Sequence, residues 1–119
     1  MDYEVLLKND PGQLVKKLTS ELSGKKGVDV RFEFLDNDQW SVVSVYMDEQ
    51  DNELSLRLHP NGSFELYIGY YDEEDELQEL SKTLTSEETQ HIPKSLQKVM
   101  TKVVADEQGL RVPGSILVM

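Results

Sequence analysis

The sequence predicts an α+β domain, a four-stranded antiparallel meander covered on one face by an N-terminal and a C-terminal helix. Two segments, near the start and near the end of the chain, repeat their apolar residues with the period of an amphipathic helix. Between residues 28 and 71 the repeat drops to every second residue, in runs separated by turn-forming residues. A length of 119 residues suits one domain, 1–119, whose single core buries roughly two-thirds of the unfolded surface.

The elements follow in order. Asp10 reads as an N-cap, with Pro11 at the first helical position and Gln13 at N3. Leu14, Leu18 and Leu22 then share a face, Val15 lies beside them, and Gly24 closes the element, which predicts a helix over 11–23. Val28, Val30, Phe32 and Phe34 alternate with Asp29, Arg31 and Glu33, the pattern of a half-buried strand. Asp36-Asn37-Asp38 is a turn. Trp40 to Met47 is β-branched and aromatic on both faces, the composition of a central strand. If Trp40, Val42 and Tyr46 point inward here, Val43, Val45 and Met47 face outward.

A second turn, Asp48 to Asn52, precedes Leu54, Leu56 and Leu58, which alternate with Ser55 and Arg57. Pro60-Asn61-Gly62 is a hairpin signal. Phe64, Leu66, Ile68 and Tyr70 then alternate with Glu65, Tyr67, Gly69 and Tyr71. Leu77, Leu80 and Leu84 fit a helix or a strand. From Pro93 an apolar stripe of Leu96, Val99, Met100, Val103 and Val104 predicts the closing helix, ended by Gly109 and Pro113, and Lys94, Lys98 and Lys102 form a second, solvated stripe. The apolar tail from Ser115 to Met119 reads as a short strand or a docked segment.

Charge is the main functional clue. The net charge of −11 is not spread evenly. From Val28 to Glu79 fifteen carboxylates face only Arg31 and Arg57, a net of −13, while the rest of the chain carries +2. Such a segment projects a negative field that attracts a basic partner and repels the phosphates of nucleic acid. The absence of cysteine excludes disulfides and thiolate metal sites and suits a cytoplasmic protein. Met1-Asp2-Tyr3-Glu4 has neither a basic n-region nor an apolar h-region, so no signal peptide is expected, and no run approaches the roughly 20 apolar residues of a membrane span.

Two acidic clusters stand out. Asp48, Glu49, Asp51 and Glu53 bracket one turn, and Asp72, Glu73, Glu74, Asp75 and Glu76 follow the fourth strand. In a meander both lie at the same end of the sheet. Solubility alone explains acidic turns, but mixed surface charge would serve it as well, and this pattern is polarised. With Phe64, Leu66, Ile68 and Tyr70 facing the core, Tyr67 and Tyr71 face outward, and tyrosines edged by carboxylates suit a protein-binding surface. The acids are expected to pair with arginine or lysine of the partner and the tyrosines to pack in its cleft. Asp36-Asn37-Asp38 and Asp72-Glu73-Glu74-Asp75 offer oxygen ligands, but neither has the spacing or the central glycine of a calcium loop. His59 and His91 sit at element ends with no nucleophile at motif spacing, and no phosphate loop appears, so no enzyme, cofactor or metal site is expected.

The segment from Ile92-Pro93 to Gly109-Leu110-Arg111-Val112-Pro113, preceded by Leu54-Ser55-Leu56-Arg57-Leu58, resembles the small acidic α+β immunity proteins of bacterial polymorphic toxin systems, found beside deaminase and nuclease toxins. The resemblance implies a non-enzymatic inhibitor, monomeric or weakly dimeric, that binds a cognate toxin domain with a basic surface. The alternative from a different class is a small ligand-binding or adaptor domain, which needs a pocket of roughly 300 Å³ or more lined by Trp40 and Tyr46. A third option, a mimic of DNA, needs regularly spaced acids along an elongated surface, whereas these cluster in turns.

Overall fold

Leu14, Val15, Leu18 and Leu22 are all buried, as their spacing requires. The computed structural model describes residues 3–35, 38–46, 52–107 and 109–118. Two helices open the chain, α1 (Tyr3–Asn9) and α2 (Pro11–Ser23). The sequence reading anticipates only the second. Asp10 makes no side-chain cap; its backbone N–H donates to Leu6 O at 2.8 Å, so one helix runs into the next. Pro11 permits this because it brings no N–H that needs a partner.

The sheet has six strands, not the four expected: β1 (Val28–Leu35), β2 (Asp38–Tyr46), β3 (Glu53–Leu58), β4 (Phe64–Tyr71), β5 (Leu77–Thr83) and β6 (Leu110–Val112), in the order β5-β4-β3-β2-β1-β6, with every neighbouring pair antiparallel. The fifth strand is the ambiguous leucine segment. Leu77 faces one side of the sheet and Leu80 the other, and the ladder with β4 from Glu65↔Thr83 to Tyr71↔Leu77 settles the choice against a helix. The sixth strand has three residues, too few for a periodic signal, and exists because β1 offers it an edge.

The Pro60-Asn61-Gly62 turn joins β3 to β4. Gly62 has φ +94°, the left-handed region open to glycine. Asn61 Oδ1 accepts from Ser63 N at 2.9 Å, and His59 N donates to Ser63 O at 2.9 Å. After β5 a short helix, α3 (Ser86–Thr89), starts on a capping box between Thr85 and Glu88. Helix α4 (Lys94–Asp106) follows and ends where Glu107, rather than Gly109, turns left-handed at φ 53°. The tail docks as a 3-10 turn (Gly114–Val118) with Leu117 buried. Gly114 allows this approach, since a Cβ there would run into the carbonyl oxygens of Lys25 and Leu22.

Helix α4 lies against β1, β2 and β3, and α2 against β2 and β3. Their apolar stripes meet Val28, Val30, Val43, Val45, Leu54, Leu56, Leu66 and Ile68 in one core cluster. The expected orientation of β2 is therefore reversed: Val43 and Val45 are core, and Tyr46 is exposed. No helix among the described residues is long and apolar enough to cross a membrane.

Strand β1 departs from regular pairing with β2. The β1–β2 ladder runs from Leu35↔Asp38 to Arg31↔Val42 and stops there. Over Val28–Val30 strand β1 pairs instead with β6 on its other side. The two strands part, and the half of β2 beyond Val42 pairs only with β3 among the described residues.

Candidate protein-binding face

Cross-strand partners share a face, so the registers define the side of the sheet away from the helices. Rows run Val42, Arg57, Glu65 and Thr83, then Ser44, Ser55, Tyr67 and Ser81, then Tyr46, Glu53, Gly69 and Glu79, with Tyr71 beside Leu77 at the far end. Val42 and Tyr67 are buried but lie outside the helix-covered core.

The middle of this face is closed by its own side chains. The Arg57 guanidinium lies over the Tyr67 ring, 3.8 Å from its centre, and reaches Glu65 at 4.0 Å. The Tyr67 hydroxyl donates to Glu79 Oε1 at 2.8 Å. Gly69 makes room for that ring, since a Cβ there would come within 2.8 Å of the Tyr67 hydroxyl. Burial, then the hydrogen bond to the Glu79 carboxylate, pushes the Tyr67 phenol from 10.0 up to about 12. Ser44 and Ser55 share a hydroxyl hydrogen bond of 2.7 Å. Trp40 meets His59 edge-on, with ring centres 4.3 Å apart.

Tyr67 thus lies on the expected face but is only 7% exposed, and its hydroxyl is taken. It is a wall of the face and not a free anchor. The exposed apolar surface lies further along, at Tyr46 (64%), Tyr71 (47%) and Leu77 (52%). Sequence reasoning missed Tyr46 and Leu77. Ser41 and Ser44 fall on opposite faces of β2, so polarity does not mark its orientation; pairing Val43 and Val45 with Leu56 and Leu54 does.

The start of β3 and the acidic turn after β4 lie at the same end of the sheet. Glu53 pairs with Gly69, and Asn52 Oδ1 accepts from Tyr71 N at 3.2 Å. Asp48, Glu49 and Asp51 lie outside the described residues. In the other turn Asp72 does not point at solvent as a free charge. Its Oδ1 accepts from the backbone N–H of Glu74 and of Glu76, both at 2.9 Å, and its Oδ2 from Gln78 Nε2 at 2.8 Å. These bonds, the one from Glu76 first, hold its carboxyl below the ordinary value of 3.8. The turn closes with Asp75 left-handed at φ 61°. Asp72 is the organiser of this hairpin, and Glu73, Glu74, Asp75 and Glu76 are the exposed charges it displays. Asp72, Glu74 and Glu76 bring one carboxylate oxygen each within 4.8 Å of one another.

Where β1 and β2 part, a concave pocket of about 400 Å³ opens. Leu22, Val28 and Val42 are its apolar lining, and Lys25, Arg31 and Glu53 are among the charged groups around it. Of the two aromatics named for the ligand-binding alternative, Tyr46 lines it and Trp40 does not. No family model, curated protein or solved structure matches the chain.

Proposed function

We propose that this chain is a non-enzymatic immunity protein, which binds and neutralises a toxin domain with a basic surface. The observation that carries the reading is the coincidence, at one end of the uncovered sheet face, of exposed Tyr46, Tyr71 and Leu77 with Glu53, Glu79 and the acidic turn Asp72–Glu76. Exposed aromatics with few rotatable bonds are the residues that anchor interfaces. The carboxylates around them steer a basic partner toward the face and raise its on-rate above the neutral range of about 10⁵–10⁶ M⁻¹s⁻¹. An acidic plug suits a toxin that acts on nucleic acid, because such an enzyme needs a basic groove for its own substrate. The compartment that goes with this reading is the cytoplasm, and the partner is a protein rather than a membrane or a nucleic acid.

The test is a titration of this protein with the C-terminal domain encoded immediately upstream of its own reading frame, at two salt concentrations. Tight binding that weakens with salt and abolishes the domain's toxicity supports the reading. A neighbour that is not toxic, or that does not bind, overturns it in favour of a ligand-binding or adaptor domain.

A further inference from the structure

The parting of β1 and β2 leaves hydrogen-bonding backbone with no strand beside it among the described residues. In an antiparallel ladder successive residues direct their N–H and C=O to opposite sides. His59 N donates to Ser63 O across the β3–β4 hairpin, so in β3 residues 53, 55 and 57 turn toward β4 and Leu54, Leu56 and Leu58 toward β2. Their partners Val45, Val43 and Ser41 therefore turn toward β3. Ser44 and Tyr46 direct their backbone groups the other way, into the gap that begins after Arg31↔Val42. Ser44 and Tyr46 both line the pocket of about 400 Å³ that opens there. Backbone donors and acceptors at a sheet edge are a ready template for another strand.

We propose that this gap receives an extended segment of the basic partner, which adds as a strand along β2 and hydrogen-bonds to the backbone of Ser44 and Tyr46. The inference rests on the binding function proposed above and names where and how that partner is held. The occupant is a single extended segment. Residues of β1 and of β2 both line the space, so the occupant lies between two strands rather than on an open sheet edge. Three carboxylates, Asp29, Glu33 and Glu53, line the gap against Lys25 and Arg31, and Glu53 lies beside the exposed Tyr46 ring, so a lysine or arginine on the segment gains a carboxylate and an aromatic face together. Main-chain pairing supplies affinity in this mode, and the flanking side chains supply selectivity.

The experiment is residue-resolved amide hydrogen exchange on the full chain, alone and saturated with the upstream-encoded domain. In the free protein Ser44 and Tyr46 should exchange fast while Val43 and Val45, paired to β3, exchange slowly. In the complex Ser44 and Tyr46 should slow by at least about tenfold. Ser44→Pro, which removes one of the gap-facing N–H groups, should weaken the complex at least about tenfold while Val43 and Val45 stay protected. Protection of Ser44 and Tyr46 in the free protein overturns the inference. So does a complex that forms, and responds to charge reversal at Glu73 and Glu74, with those two amides unchanged; that result leaves the binding function standing. Absence of any complex overturns the binding function and this inference with it. If Ser44→Pro does not fold, the exchange pattern of the unaltered chain decides.

Discussion

The two faces of the sheet are buried by different means. On one, Leu54, Leu56, Leu66 and Ile68 are fully excluded from water by helices that cross above them. On the other, Ser55 and Tyr67 are almost as inaccessible, yet what covers them is a neighbour's side chain: Arg57 laid across Tyr67 and Tyr67 tied to Glu79. The first kind of burial is apolar and continuous. The second is polar, one side chain thick, and ends abruptly at Tyr46, Tyr71 and Leu77. Burial on this sheet therefore does not by itself distinguish core from binding surface. What distinguishes them is whether the covering atoms belong to another element or to the same face.

The strongest way to break this comparison is to cut into each face. Leu56→Ala empties space beneath the helices and should cost about 2–5 kcal/mol in a denaturant titration. Tyr67→Phe, on the opposite face, loses one hydrogen bond and should cost about 1 kcal/mol at neutral pH. Equal costs would mean that the outer layer is a second core. The tyrosine also sharpens the contrast at high pH. Its folded pKa of about 12 lies above the ordinary 10.0, so the unfolded chain loses that proton first. The stability linked to it is present below pH 10 and falls away as pH rises toward 12. The unaltered protein should lose stability more steeply than Tyr67→Phe over that window.

The acidic turn divides in the same way on a smaller scale. Asp72→Ala removes the acceptor that closes the hairpin and should lower the thermal midpoint. Because the folded carboxyl sits below 3.8, the stability linked to it is present above that value and is lost as pH falls through the lowered one; Asp72→Ala should flatten that acid limb. Glu73→Lys with Glu74→Lys should change stability least, by no more than about 0.5 kcal/mol, while slowing capture of the partner and flattening its salt dependence. A double variant that binds with an unchanged on-rate at low salt would place the steering charge elsewhere.

Much of this division was legible in the chain, and some was not. The helix over Pro11–Ser23, the alternation of β1, β3 and β4, the hairpin at Pro60–Gly62 and the closing helix all follow from local patterns that one element satisfies alone. The face of β2 was misread because its run from Trp40 to Val45 is apolar or small on both sides. Tyr67 was correctly placed on the outer face, but no local signal says that Arg57 will lie over it. Asp72 reads like its four acidic neighbours, and only the closed turn separates the organiser from the displayed charges.

The sequence by itself determined the α+β class, the covering helices and the concentration of charge in one segment, because periodicity, turn chemistry and composition are properties of neighbours along the chain. Tertiary structure decided the number of strands, the orientation of β2 and the gap between β1 and β2. Each of these depends on which edge finds a partner: β5 is a strand because β4 offers it a ladder, and β1 leaves β2 at Arg31 as it takes up β6. Pairing between distant segments has no period to read, and it is where the candidate binding features of this protein arise.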